Sequence, residues 1–173
     1  MKRILINNKS LKKEELDYKV VRVKVFFVNS NNELLLAHNN DTYQLIGGHL
    51  KKDESMDDCL KREIKEETGI HLRNVNTPFL NITTYDDNYF DTNKKVENSI
   101  YYYRVLSDAI PDLSNTSYDD IELQSEFNLF YVKLSDFENF INNCISEGTI
   151  DKNIANEMLI ALDEYDYLYG GVL

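Results

Sequence analysis

The chain has 173 residues, of which 42% are hydrophobic and 12% aromatic, which suits one sizeable core and a single domain over residues 1–173. No apolar run approaches the ~20 residues of a membrane-spanning helix, so a membrane protein is not expected. The formal net charge of −11 leaves no basic surface for the phosphates of a nucleic-acid polymer, so no such polymer is expected as a partner.

The start of the chain and its cysteines indicate the expected compartment. Met1–Asn7 contains neither a sustained apolar segment nor a small-residue cleavage site, so a secretory signal is not expected. Cys59 and Cys144 are too few for a disulfide framework, and Cys59 is expected in the core. We therefore expect a cytoplasmic protein.

The N-terminal part of the chain is predicted to form a β-hairpin. Met1–Asp17 is polar and mixed, and it is expected to add a strand or a short helix. Tyr18–Val28 is rich in β-branched residues and alternates early, which predicts a strand. The polar residues Asn29–Asn32 predict a turn, and Glu33–His38 predicts the returning strand.

A diglycine and a short helix follow this hairpin. Tyr43–Ile46 leads into Gly47–Gly48, where the missing side chains let the backbone approach a ligand or a metal closely. Ser55 is predicted as the helix N-cap, with Asp58 three residues later as in a capping box. Gly69 is predicted to stop the helix.

The remaining segments predict further strands and two helices. The predicted strand regions are His71–Tyr85 (one or two strands), Ser99–Leu106 and Phe127–Val132, and the predicted helices are Asp136–Ile145, capped by Ser135, and Asp151–Tyr167. Strands that surround one inserted helix and precede two more suit a mixed sheet with helices on both faces, the α/β class. The expected core covers about residues 18–145, and a C-terminal helix covers about residues 151–168.

The first predicted helix carries acidic residues on its apolar side. At about 100° per residue, one stripe of this helix is apolar. The stripe consists of Met56, Leu60 and Ile64, with Cys59 beside it. Glu63 and Glu67 fall on the same arc and Glu66 at its edge, whereas Lys61 and Lys65 face away. An acidic run is more often a solvated helix face, but an unpaired carboxylate on the apolar side is costly.

Three clustered carboxylates directly after a diglycine loop predict a cation site. Glutamate oxygens repel each other unless they are paired, protonated or bound to a cation. Hard divalent cations prefer oxygen ligands. We therefore expect Mg²⁺ (or Mn²⁺) as a cofactor.

The spacing of this segment resembles the Nudix box of a family of phosphohydrolases. That motif is a glycine, five residues, a glutamate, seven residues, and then Arg-Glu-apolar-x-Glu-Glu-x-Gly-apolar. The segment from Gly48 to Ile70 matches every position. The fixed residues are Gly48, Glu54, Arg62, Glu63, Glu66, Glu67 and Gly69. The resemblance implies an α/β/α sandwich with a mixed β-sheet, in which the box forms a loop-helix-loop.

The resemblance also implies a chemistry, the hydrolysis of a nucleoside diphosphate linked to another moiety by water attack on phosphorus. The implied partner is a small phosphorylated nucleotide-type substrate. The implied metal ligands are the carbonyl of Gly47 and the carboxylates of Glu63, Glu66 and Glu67. Glu63 and Glu67 are also the implied catalytic residues, with Glu63 as general base. Arg62, paired with Glu54, is implied to orient the glutamates.

Two further sets of residues are candidates for the site. In other Nudix enzymes a glutamate from a distant loop acts as the base, and the local candidates are Asp120, Glu122 and Glu126. The candidate substrate-binding residues are Gly48, His49, Tyr43, Tyr85 and Tyr89. The tyrosines are included because their rings stack on bases, although most of the 12 tyrosines in the chain are expected to pack in the ordinary way.

Other interpretations stay open at this point. One is a catalytically weak Nudix-fold sensor of nucleotide metabolites, which the intact glutamates disfavour. An isoprenyl-diphosphate isomerase-like enzyme is disfavoured because Cys59 is expected to point into the core, and an acidic scaffold is the remaining alternative. A cluster of Tyr165, Tyr167 and Tyr169 leaves a homodimer open.

Overall fold

The computed structural model describes residues 1–39, 42–89, 92–117 and 127–170. Its strands are β1 (Lys2–Ile6), β2 (Tyr18–Val28), β3 (Glu33–Asn39), β4 (Thr42–Leu45), β5 (Leu80–Asp86), β6 (Val96–Leu106) and β7 (Asn128–Lys133). Its α-helices are α1 (Met56–Thr68), α2 (Leu134–Glu147) and α3 (Lys152–Tyr169). Short 3-10 turns lie at Lys13–Glu15 and Leu113–Asn115.

All strands of the described ranges belong to one mixed sheet. The strand order is β1-β5-β6-β2-β3-β4, and β7 pairs with β3. The pairs β1–β5 and β2–β6 are parallel, whereas β5–β6, β3–β4 and β3–β7 are antiparallel. The predicted hairpin is present, since β2 and β3 are antiparallel and pair Val28 with Leu34. The N-terminal segment supplies both a strand and a 3-10 turn.

Side chains alternate between the two faces of the sheet, and each face has its own apolar cluster. Val25 and Tyr103 belong to the cluster that includes Leu60 and Ile64 of α1. Phe26 and Tyr102 belong to the opposite cluster, which α2 and α3 cover. Because both faces carry helices, the predicted α/β/α arrangement is confirmed.

The C-terminal helix α3 is anchored to the sheet by aromatic packing. Tyr165 is buried and stacks on Phe26, with 5.0 Å between the ring centroids. The guanidinium of Arg104 lies 4.1 Å from the ring centroid of Tyr169. Tyr167 is 83% exposed, so only one of the three clustered tyrosines is fully available at the surface. The homodimer stays a prediction.

The caps of α1 follow the prediction, whereas the start of α2 does not. The hydroxyl of Ser55 accepts a hydrogen bond from the backbone N–H of Asp58 at 3.1 Å. Gly69 ends α1 in the left-handed region, with φ 72°. The predicted Ser135 cap is wrong, because α2 begins at Leu134 and Ser135 lies inside it. Leu134 packs against the apolar cluster, and its N–H donates to the Asn32 carbonyl at 2.9 Å.

Other predicted boundaries shift by a few residues. The region predicted to hold one or two strands from His71 holds one, β5, and β6 begins at Val96 rather than Ser99. Among the residues that the structure describes, no helix is both long and apolar enough to cross a membrane.

Candidate active site

The two glycines before α1 bring the backbone against β2 and against a glutamate. Gly47 has φ 127°, and a Cβ built on it would lie 2.2 Å from the carbonyl oxygen of Val23. A Cβ on Gly48 would lie 2.6 Å from the carboxylate of Glu63. Only glycine fits both positions, because the first needs a left-handed backbone and the second needs the space that Glu63 fills.

Arg62 holds three of the glutamates of the motif. Its Nε and Nη2 donate to the two carboxylate oxygens of Glu54 at 2.6 and 2.9 Å. Its Nη1 donates to Glu63 Oε1 at 2.7 Å and to Glu66 Oε2 at 2.8 Å. Its Nη2 also donates to the His49 carbonyl at 3.0 Å. The expected pairing of Arg62 with Glu54 is therefore present, and a single guanidinium connects the loop to the acidic face of α1.

Glu67 and Lys24 bind the diglycine from opposite sides. Glu67 is 3% exposed, and its Oε2 accepts a hydrogen bond from the backbone N–H of Gly47 at 3.0 Å. The ammonium of Lys24 donates to the carbonyl of Gly47 at 2.6 Å and to that of Leu45 at 2.7 Å. Lys24 is absent from the sequence-predicted site. The sequence signal that could have identified Lys24 is its position two residues before Phe26, which places a lysine on the same, buried face of β2.

Burial and ion pairing change the pKa values of these groups. The hydrogen bonds from Arg62 lower the pKa of Glu54 to about 2. Burial raises the pKa of Glu63, and the neighbouring Arg62 opposes that effect. Burial lowers the pKa of Lys24, and the Glu67 carboxylate opposes that effect. Burial raises the pKa of the Cys59 thiol to about 12, so it stays protonated and unreactive at neutral pH.

His49 connects the diglycine loop to a second region. Its Nε2 accepts a hydrogen bond from Arg22 Nε at 3.0 Å. Burial and the Arg22 charge lower the pKa of His49 to about 4, so the imidazole is neutral at pH 7. The same guanidinium also donates to the hydroxyl of Tyr89. Arg22 thereby connects His49 with Tyr89, and both are candidate substrate-binding residues.

A cleft of about 570 Å³ opens beyond Arg22 on the α3 side of the sheet. Tyr85 and Tyr89 line it, and their role as substrate-binding residues stays a prediction. Tyr43 is elsewhere among the described residues, with its ring centroid 5.0 Å from that of Phe140. This packing against Phe140 is a sufficient reason for a tyrosine at this position, so no contact with a ligand is needed to explain it.

The oxygen donors near the diglycine suit a hard cation in kind. Gly47, Glu63, Glu66 and Glu67 offer one carbonyl and three carboxylates, the donors that Mg²⁺ and Mn²⁺ prefer. In the described ranges, however, no group of three or more such side chains is arranged around a common point. Glu63 and Glu66 are instead turned to Arg62, and Glu67 to the Gly47 amide. Three of the candidates, Asp120, Glu122 and Glu126, lie outside the described residues.

The fit between Gly48 and Glu63 leads to a testable expectation. Gly48→Ala would place a methyl group within 2.6 Å of the Glu63 carboxylate and displace it. Since a displacement of about 1 Å in a catalytic constellation costs up to about a hundredfold, we expect the turnover that the motif implies to fall by about that factor. Steady-state kinetics on a cleaved nucleotide would measure the change.

Gly148→Ala is the matched control for this substitution. Gly148 ends α2 with φ 74°, so alanine there strains the backbone, but its Cβ would meet nothing within 4 Å and the folded variant should keep its turnover. Equal turnover of Gly48→Ala and the parent protein would contradict a functional position for Glu63.

Known proteins share the motif and the fold with this chain. The family model described as NUDIX domain matches residues 18–139. The NAD-capped RNA hydrolase NudC of Vibrio parahaemolyticus is 44% identical over 52 residues, which are 28% of this chain and 20% of that protein. The mRNA-decapping protein D9 of Variola virus is 35% identical over 86 residues, which are 46% of this chain and 37% of that protein. The chain thus spans well under half the length of these relatives.

Solved structures add the fold. The bifunctional NMN adenylyltransferase/ADP ribose pyrophosphatase from Francisella tularensis gives a TM-score of 0.57 at 18% identity, over 84% of this chain and 41% of that one. The ORF135 protein of E. coli gives a TM-score of 0.53 at 14% identity, over 88% and 96% of the two chains. At these identities the likeness concerns the fold alone. The family model, however, covers more than half of the chain and contains the complete motif, so the chain belongs to the Nudix family.

Proposed function

We propose that this protein is a divalent-metal-dependent pyrophosphohydrolase. Its substrate would be a small nucleoside diphosphate linked to another moiety, cleaved by water attack on phosphorus. The observation that carries the proposal is the arrangement of Arg62 with Glu63 and Glu66, next to the diglycine that Glu67 binds. An intact acidic set of this kind favours an enzyme over a nucleotide sensor.

The residues that would hold Mg²⁺ or Mn²⁺ are Gly47, Glu63, Glu66 and Glu67. A bound divalent cation would neutralise the charge that develops on the phosphoryl oxygens. The carbonyl oxygen of Gly47 already accepts a hydrogen bond from the Lys24 ammonium, so this oxygen is electrostatically suited to a positive partner. The donor chemistry therefore supports the proposed cofactor.

The protein side chains would perform the remaining tasks. Arg62 would orient the glutamates through its hydrogen bonds, and other groups would contact the phosphates. Glu63 would accept the proton of the attacking water as general base. Asp120, Glu122 and Glu126 are the alternative bases in this proposal.

Two relatives suggest which linked moieties belong in a first screen. The names of NudC and D9 refer to NAD-capped RNA and to mRNA decapping. The net charge of −11 disfavours a long RNA footprint on this chain, so we expect cleavage of the small compounds first. The panel should hold ADP-ribose, nucleotide sugars, dinucleoside polyphosphates, NADH, coenzyme A, nucleoside triphosphates and short capped RNA.

The test is a hydrolysis screen of this panel with Mg²⁺ and with Mn²⁺, with products identified by mass spectrometry. We expect metal-dependent cleavage of a phosphoric anhydride bond in one substrate class. Binding of a panel compound without cleavage would overturn the enzyme proposal and favour the sensor. In a separate incubation with an isoprenyl diphosphate, isomerisation without phosphate release would overturn it in favour of the isomerase.

A further inference from the structure

The cleft of about 570 Å³ has the size of a small-molecule site and lies apart from the acidic face of α1. Its floor comes from the sheet face opposite α1, and one wall comes from the N-terminal half of α3. Helix α3 begins at Lys152, beyond the residues 18–139 that the family model covers. The features of this wall therefore belong to this chain and are not implied by the motif.

The cleft reaches the Nudix box through one side chain. Arg22 lines the cleft and donates to His49, the residue that follows Gly48. A substrate with its phosphates at the diglycine could therefore extend past Arg22 into the cleft. The extending part would be the nucleoside, because the four carboxylates that line the cleft outnumber its two cations, Lys9 and Arg22, and would repel further phosphate. These carboxylates belong to Asp86, Asp87, Asp151 and Glu157.

A buried acceptor on the cleft floor lacks a donor. Asn98 is 6% exposed, lines the cleft, and lies opposite Thr84 in the register of β5 and β6. Its Oδ1 is buried and has no hydrogen-bond partner among the described residues. An unsatisfied buried acceptor destabilises the folded protein, and a ligand N–H would remove that cost. A ligand N–H that reaches this oxygen from the cleft would satisfy it.

The wall of the cleft adds a second acceptor. The carboxyl group of Glu157 lines the cleft from α3 and is partly buried. Burial raises the pKa of Glu157 to about 7, whereas the charges of Arg22 and Lys24 lower it. Above that pH the group is a carboxylate, which accepts two hydrogen bonds and donates none.

Two acceptors select among the nucleobases. Guanine presents two adjacent donors, N1–H and the N2 amino group, which can donate to the two oxygens of one carboxylate. Adenine and cytosine each place a ring-nitrogen acceptor beside their amino group, where it would meet carboxylate lone pairs. Uracil has a single N–H between two carbonyl acceptors. We propose that the cleft binds the guanine base of the substrate, with Glu157 and Asn98 as the acceptors that determine this preference.

This inference rests on the proposed function, because it names guanine nucleotide derivatives as the substrate class of the same site. It can be tested without turnover, by isothermal titration of GMP, IMP and AMP at pH 8, where Glu157 is ionised. We expect GMP to bind at least about tenfold more tightly than AMP, since one well-formed pair of base contacts gives about 1–3 kcal/mol of discrimination. IMP lacks the N2 amino group and should lie between the two.

Variants assign the preference to the two residues. Glu157→Gln presents an amide that both donates and accepts, so the ratio of AMP to GMP dissociation constants should fall towards one. Asn98→Ala should weaken GMP binding, and the exposed Glu138→Gln on α2 should change neither value. Equal binding of all three nucleotides by the parent protein would overturn the proposal and indicate contacts to ribose or phosphate alone. A preference for AMP would overturn it as well.

The result of the nucleotide-binding titration can be distinguished from the result of the hydrolysis screen. GMP selectivity without hydrolysis of any panel compound would reject the enzymatic proposal and retain the guanine site. Hydrolysis that is indifferent to the base, together with equal nucleotide binding, would reject the guanine site and retain the enzyme.

Discussion

Glu67→Gln is expected to lower kcat/KM by about a thousandfold or more while leaving the fold intact. The substitution removes one negative charge from the proposed metal ligands, and a catalytic cation supplies several kcal/mol, each 1.36 kcal/mol being worth tenfold in rate. The glutamine Oε1 can still accept the Gly47 N–H, so the diglycine should stay in place. Steady-state kinetics in Mg²⁺, with circular dichroism as the fold check, would measure the effect.

Two controls separate this effect from general damage. Glu138→Gln makes the same chemical change on an exposed part of α2, and Lys61→Ala changes a residue on the side of α1 that is predicted to face away from Glu63 and Glu67. Both should keep kcat/KM within about twofold, because surface substitutions rarely disturb the protein. Equal activity of Glu67→Gln and the parent would reject the assignment of Glu67 to the site.

Arg62→Ala is expected to lower the free energy of unfolding by about 3 kcal/mol at pH 8. Arg62 has a side chain that is only 19% exposed, and it neutralises Glu54, Glu63 and Glu66 together. Removing one member of a largely buried ionic group leaves the remaining charges uncompensated and typically costs about 3–5 kcal/mol. Urea denaturation of the metal-free protein would measure the change.

The pH dependence of that loss provides its internal control. Arg62 lowers the folded-state pKa of Glu54 to about 2, so the stability that this pair provides is present above the unfolded pKa near 4.5. That stability is lost as the pH falls through about 2, so the deficit of the variant should shrink on acidification. A deficit that stays constant from pH 8 to pH 3 would show that Arg62 stabilises by packing alone.

Features formed by neighbouring residues were the most predictable from the sequence. The Ser55 cap and the Gly69 stop follow from residue types at the ends of one short helix, and the Arg62–Glu54 pair was implied by the resemblance of that segment to the Nudix box. The burial of Glu63 and Glu67 also followed from helix periodicity, because residues on one arc of a helix share an environment.

Contacts between distant parts of the chain were not predictable in the same way. Lys24 meets Gly47 across 23 residues, and Arg22 meets Tyr89 across 67 residues, so both depend on the sheet order. Tyr43 was a reasonable stacking candidate from composition alone, but the sheet places its ring beside Phe130 and Phe140. The start of α2 differs from the prediction because the packing of Leu134 outweighs the capping preference of Ser135.

The two apolar clusters on opposite faces of the sheet have a consequence for engineering. Leu60 of α1 and Ile141 of α2 have no cluster partners in common, since each belongs to a different face. Substitutions that share no partners usually have additive effects on stability, within about 0.5 kcal/mol. Stabilising substitutions under α2 and α3 can therefore be combined to raise the free energy of unfolding. That gain can offset the stability lost when residues of α1 on the other face are altered.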